Sequence, residues 1–90
     1  MEISYDPVKR LKTLVERGLD FEAAASVFAG RTYDRVDDRF DYGETRMISI
    51  GYAAGRMVVI VWMQRGSGRH VISMRKANER EQARYKAWLD

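Results

Sequence analysis

Two short strings in this chain concentrate side chains that could act on an anion. Arg65 to Lys76 (RGSGRHVISMRK) holds Arg65, Arg69, His70, Arg75 and Lys76, and Tyr42 to Arg46 (YGETR) holds Tyr42, Glu44 and Arg46. A guanidinium stays charged at neutral pH, and its planar fork matches two phosphate oxygens. Arg65 and Arg75 are therefore the first candidates for gripping a phosphate, against the simpler roles of keeping strand ends soluble or, for Arg75, pairing with Glu81. Glu44 and Arg46 share strand parity. Glu44 could be a general base, but an ion pair with Arg46 is the commoner use of such a couple. His70 is the one side chain that titrates near neutrality unaided. On a regular strand it points with Ile72 and Met74, opposite to Arg69, Val71, Ser73 and Arg75. It would then lie outside the Arg75 site unless twist at the strand end brings it round. Tyr42 could stack on a base, although a turn tyrosine more often packs on a sheet. Lys76 and Arg80 could extend a cationic track or be simply solvated. Asp34, Asp37, Asp38 and Asp41 lack a defined ligand spacing for magnesium and read as a solvated turn.

These residues need a frame. Met57 to Met63 is apolar at every position, which predicts a strand covered on both faces at the centre of a sheet. Gly66, Ser67 and Gly68 turn the chain, and Arg69 to Met74 alternates as a half-buried strand does. Thr45 to Tyr52 is a further strand, with Arg46, Ile48, Ile50 and Tyr52 on one side, and Ala54-Gly55 turns it into the central one. Arg31 to Asp38 alternates weakly and is a possible fourth strand; Arg39 to Gly43 is a polar turn; Glu2 to Tyr5 fits a short edge strand. Asp6-Pro7 starts a helix that carries Val8, Leu11, Leu14 and Val15 at helical spacing and stops at Gly18. Asp20 caps a second helix, with Phe21, Ala24, Ala25, Val27 and Phe28, that stops at Gly30. A last helix runs from about Ala77 or Asn78 to Trp88. Glu81 lies on its apolar stripe beside Ala77, Tyr85 and Trp88, and a carboxylate there needs a cationic partner. The order predicts an α+β fold: two N-terminal helices in a hairpin, a three- to four-stranded antiparallel sheet, and a C-terminal helix, with the helices against one face.

Ninety residues make one domain, residues 1–90, with a small core. The absence of cysteine excludes disulfides and thiolate metal sites, and a single histidine argues against a histidine-based metal centre, so no metal or cofactor is expected. No signal segment and no run near the roughly 18 apolar residues of a membrane span is visible, which makes a soluble cytoplasmic protein without a membrane partner the default. The net charge of +3 is uneven: residues 1–55 carry −2 and residues 56–90 carry +5. A basic C-terminal half suggests an anionic partner, nucleic acid first.

The element order and several strings resemble the BrnT family, toxins of bacterial type II toxin–antitoxin pairs with a RelE-like ribonuclease fold. The matching residues are Asp6-Pro7 with Lys9, Gly18 with Phe21-Glu22 and Ala24, Val27-Phe28, Asp38-Arg39, Asp41-Tyr42-Gly43-Glu44 and Arg46. Gly51, Gly55-Arg56, Arg65, Ile72-Ser73, Arg75, Ala77, Glu81 and Tyr85 continue the match over nearly the whole chain. The resemblance implies a metal-independent endoribonuclease acting on RNA. It also implies neutralisation by a BrnA-like ribbon-helix-helix antitoxin, through which alone operator DNA is reached. Such cleavage uses the neighbouring 2′-OH as nucleophile, a base to take its proton, an acid for the leaving oxygen, and cations for the charge developing on phosphorus. DNA lacks that hydroxyl and would be spared.

On this footing Arg65, Arg75, Glu44, Arg46 and His70 are the catalytic candidates. Lys9, Tyr42, Arg69, Lys76 and Arg80 are the RNA-binding ones, Lys9 entering on the resemblance alone. The chain departs from the family pattern in three stretches. Thr13 stands where an Asn is common, and Glu16-Arg17-Gly18 stands where Lys-His-Gly is usual. Arginine is no general base at neutral pH, so any proton-transfer role of that histidine is absent. The usual Ile-Ser-Ala-Arg reads Ile72-Ser73-Met74-Arg75. The alternative reading is a catalytically weak or inactive binding module that serves mainly as partner of a DNA-binding antitoxin.

Overall fold

The computed structural model describes residues 1–90. The chain runs β1 (Ile3–Tyr5), α1 (Pro7–Arg17), a 3-10 turn (Phe21–Ala23) leading into α2 (Ala24–Ala29), β2 (Tyr33–Asp37), β3 (Arg46–Ala53), β4 (Arg56–Arg65), β5 (Gly68–Lys76) and α3 (Glu79–Leu89). The start signals act as their chemistry demands. The Asp6 carboxylate accepts the Val8 N–H at 2.9 Å, with Pro7 at the first helical position. Asp20 accepts the Glu22 N–H at 3.0 Å. Asn78 and Glu81 exchange reciprocal hydrogen bonds as a capping box on α3. Ala54 and Gly55 both have positive φ, 49° and 79°, which the tight β3–β4 hairpin turn requires.

The sheet has five strands in the order β1-β5-β4-β3-β2. β2 to β5 form an antiparallel meander, and β1 adds parallel to β5, with Ile3 to Tyr5 opposite Arg69 to Val71. The expected three- to four-stranded antiparallel sheet is thus a five-stranded mixed one. Three residues of strand carry no directional signal; the direction is set by docking. The Arg69 N–H donates to the Glu2 carbonyl at 2.9 Å, and a Cβ on Gly68 would meet that same oxygen at 2.7 Å. Glycine at position 68 is what lets β1 approach.

The helices lie on both faces of the sheet, not on one. The Phe21–Ala29 segment covers Val58, Ile60, Trp62, Val71 and Met74, while α3 covers Ile48, Ile50, Met57 and Val59 with Tyr85 and Leu89. β4 is therefore buried from two sides, as its unbroken apolar run demands. Each such fully buried aliphatic side chain stabilises the fold by about 1.5–3 kcal/mol. On its own face α3 stops short of Met63, which stays half-exposed.

α1 departs from the usual rule that an apolar stripe faces the core. It buries none of its residues, and Val8, Leu11, Leu14 and Val15 are 74, 64, 40 and 76% exposed. Its polar side holds it in place. Arg10 makes a bidentate pair with Asp20 at 2.7 and 3.0 Å, and Arg17 donates to the Met74 carbonyl at 2.9 Å. β1 pairs with β5 no further than Val71, so Arg17 supplies a donor to the edge that β1 leaves bare.

Candidate functional site

A bulge builds the site. β4 and β5 pair from Val58–Lys76 to Val61–Ser73, and again from Trp62–Val71 to Arg65–Gly68, so Ile72 has no partner. One extra residue reverses side-chain parity along the strand. Val59, Val61 and Met63 face the α3 side, so their partners Arg75, Ser73 and His70 do too, and Arg69 faces the other side. The expectation that His70 points away from Arg75 is corrected: the bulge puts both on one face. Cross-strand pairing then defines a transverse row of Ser4, His70, Met63, Arg46 and Asp37 from β1 to β2, with Arg46 one step beyond the Met47–Trp62 pair. This row crosses the part of the sheet that α3 leaves open.

Arg65 is exposed and has no carboxylate partner. Its Nη1 lies 3.4 Å from His70 Nδ1, and Ser4 Oγ lies 2.9 Å from the same nitrogen. Arg65 can only donate, so its contact fits the tautomer with the proton on Nε2; in the other tautomer Nδ1–H donates to Ser4 Oγ, the 3.4 Å Arg65 contact is given up, and Nε2 is free to take a proton. Partial burial pushes His70 below its ordinary value, and the Arg65 and Lys9 cations push it further, against Asp6 and Glu44. The imidazole is therefore mainly neutral at pH 7 and competent to accept a proton.

The loop after β2 brings in the remaining groups. The Asp37 side chain is fully buried and accepts Arg39 Nε–H and Nη2–H, both at 2.8 Å, and the Tyr42 hydroxyl at 3.3 Å. Arg39 beside it holds that carboxyl down at about 2, against the effect of burial. Charge-assisted bidentate bonding of this kind fixes the loop over the end of the sheet. Arg46 stacks on the Tyr42 ring at 4.0 Å and donates to Glu44 at 3.3 Å, while Phe40, 70% exposed, meets Tyr42 edge-on at 5.9 Å. Glu44 and Arg46 are thus an ion pair, and Tyr42 is one layer of a cation–aromatic platform.

Arg75 belongs elsewhere. It pairs across from Val59, six residues along β4 from Arg65. At strand rise that is roughly 20 Å, too far for two arginines to grip one phosphate. Arg75 instead makes two hydrogen bonds to Glu81, at 2.7 and 2.8 Å, which tie the end of β5 to the first turn of α3. Glu81 has its cation, and Arg75 chiefly holds its carboxyl down at about 2.

Of the RNA-binding candidates, Lys9 stands by the site. It borders a groove between α1 and β5, with Lys12, Thr13 and Ser73, and its charge reaches His70. Arg69 does not: it lies on the opposite face, 4.0 and 4.5 Å from the Trp62 and Phe28 rings. Lys76 pairs across from Val58, which also turns it away. Arg80 is exposed on the first turn of α3, the turn that Glu81 ties to Arg75. The largest cleft, of about 530 Å³, includes Arg56, Lys76 and Lys86 at the β3–β4 turn end of the sheet. It holds no acid–base couple, so the chemistry is not placed there. Ser4 and Phe40 were not among the candidates, and nothing in the sequence marked them; Arg39 entered only through the Asp38-Arg39 match, its pairing signalled by the Asp37-x-Arg39 spacing at a strand end. No three His, Asp or Glu side chains converge as a ligand set for a metal ion.

Comparison with known proteins adds the family. The model of the ribonuclease toxins, BrnT, of type II toxin–antitoxin systems matches residues 5–81. No curated protein matches the chain. No helix of the structure is long and apolar enough to cross a membrane.

Proposed function

The chain belongs to the BrnT family of ribonuclease toxins, and from that premise we propose that the open half of its sheet cleaves RNA internally without a metal ion. His70 Nε2 takes the proton of a 2′-OH, and the freed oxygen attacks the adjacent phosphorus. The bond to the 5′ oxygen breaks, a 2′,3′-cyclic phosphate forms, the leaving oxygen takes a proton from solvent water, and His70 returns its own proton to solvent. Arg65 and Arg46 face the charge that develops on the phosphoryl oxygens, in the way preorganised cations lower such barriers. Tyr42 and Phe40 offer ring surface to a base beside the cut, and Lys9 a contact for a neighbouring phosphate. Glu44 orients Arg46. Arg75 serves the fold through Glu81.

The observation that carries this reading is a histidine, its pKa lowered by burial and by neighbouring cations, beside an arginine without a carboxylate partner, on the part of the sheet face that α3 leaves open. An inactive binding module is the reading suggested by Thr13 and Arg17 at the positions where the family carries an asparagine and a histidine. Arg17 is occupied by the Met74 carbonyl, and His70 offers a proton acceptor independent of that position. The test is incubation of purified chain with a defined RNA in EDTA and analysis of the product ends. Cleavage leaving cyclic-phosphate and 5′-hydroxyl ends supports the proposal; RNA intact both alone and with translating ribosomes overturns it.

Membership of the family implies an antitoxin partner. That this partner is a ribbon-helix-helix protein, and the sole link to operator DNA, is part of the same proposal. The isolated chain should show no salt-dependent affinity for operator duplex, and its antitoxin complex should show one.

A further inference from the structure

We propose that the outward face of α1 seats the antitoxin, and that the element docking there is an acidic amphipathic helix. The proposal rests on the toxin reading above. Val8, Leu11 and Val15 stand at i, i+3 and i+7, with Leu14 beside them, which is the anchor spacing of helix-in-groove recognition. All four are exposed, on a helix that buries nothing. The stripe cannot roll inward, because the Arg10–Asp20 pair and the Arg17 bond to Met74 hold the polar side against the protein. A contiguous aliphatic surface fixed toward solvent marks a protein interface.

Charge selects the occupant. From Asp6 to Arg17 the chain carries four cations and two carboxylates. Arg10 and Arg17 are engaged, while Lys9, Lys12 and Glu16 are exposed and without ion pairs, which leaves this flank one charge positive; Lys12, the nearest of the three to the stripe, adjoins Val8 and Val15 around the helix. An acidic flank on the partner complements them. A second copy would set lysine against lysine. Nucleic acid is disfavoured because the stripe has no ring on which a base could stack. The position also explains neutralisation. Lys9 lies at the rim of the catalytic face, where its charge acts on His70, so an occupant of α1 stands where RNA must enter.

The test titrates purified wild type, Leu11→Glu, Val15→Glu and Trp88→Glu with the antitoxin encoded beside this chain, reading both affinity and RNA cleavage. Trp88 is an exposed apolar control on α3, 65% exposed. Leu11→Glu and Val15→Glu should cleave RNA like wild type when alone, bind antitoxin at least about 100-fold more weakly, and stay active in its presence. Trp88→Glu should be neutralised like wild type. Neutralisation of Leu11→Glu at wild-type antitoxin concentrations would overturn the proposal. So would micromolar self-association, or binding to phosphatidylserine vesicles, that Leu11→Glu abolishes. Failure of the free wild type to cleave RNA would instead strike the ribonuclease reading, while the affinity arm still reports on α1.

Discussion

The β4–β5 hairpin carries an arginine near each end, and the two have opposite surroundings. Arg75 meets a carboxylate through both arms of its guanidinium and locks α3 to the strand. Arg65 meets no carboxylate and lies beside a histidine that its charge helps keep neutral. Side-chain type alone made them equivalent candidates. The difference is one of neighbours: the fold uses one fork and leaves the other for a ligand. A guanidinium paired through both arms, like Arg75, must give up its carboxylate before it binds a phosphate; Arg65 need not, and Arg46, held by Glu44 through Nε alone, keeps its other N–H groups free.

The largest expected effect breaks that equivalence. His70→Ala should lower RNA cleavage by about 10²–10⁴-fold and Arg65→Ala by about 10²–10³-fold, with melting temperatures close to wild type. The next sharpens it through pH. His70 acts in its neutral form and its pKa lies below the ordinary histidine value, so kcat/KM should rise through that lowered pKa and level off by neutrality. Arg65→Ala removes a cation that disfavours imidazolium, so the residual activity of that variant should rise at a higher pH.

Stability should move at the other end of the hairpin. Glu81→Ala loses both the Arg75 pair and half of the capping box. With Arg75 partly exposed, this should cost about 1–2 kcal/mol, or roughly 4–8 °C of melting temperature per kcal/mol. Acid should act in the same direction. Asp37 and Glu81 sit at about 2 in the folded chain, below their unfolded values, so their contribution is present above about pH 4 and fades as pH falls toward 2. Melting curves from pH 5 to pH 2 should fall more steeply for wild type than for Glu81→Gln. The smallest effect belongs to Arg69, on the far face. Arg69→Ala should cost about 1 kcal/mol through its Trp62 and Phe28 contacts, measured by denaturant unfolding, and leave cleavage unchanged.

Much of the frame was legible because local rules wrote it. The unbroken Met57–Met63 run placed β4 at the centre of the sheet, Asp6-Pro7 started α1, and Glu81 on an apolar stripe called for the cation it has in Arg75. Three features were not legible. Ile72 is apolar like its neighbours, so nothing in the string marks it as the bulged residue, and without the bulge His70 falls on the wrong face. The direction of β1 depends on Glu2 meeting the Gly68 corner, a contact between residues far apart in sequence. The α1 stripe predicted a helix correctly but not its orientation, because periodicity defines an apolar side without saying whether the core or another molecule will cover it. The site depended on the first two, so its residue types could be read and its geometry could not.

The most direct measurement is the rate of RNA cleavage in EDTA by Arg65→Ala and Arg75→Ala beside wild type, each at a temperature where its melting curve shows it folded. Loss of cleavage in Arg65→Ala with cleavage retained in Arg75→Ala is the predicted result. A folded Arg75→Ala that has lost cleavage, beside an Arg65→Ala that retains it, would contradict the account and move the site to the α3 end of the sheet.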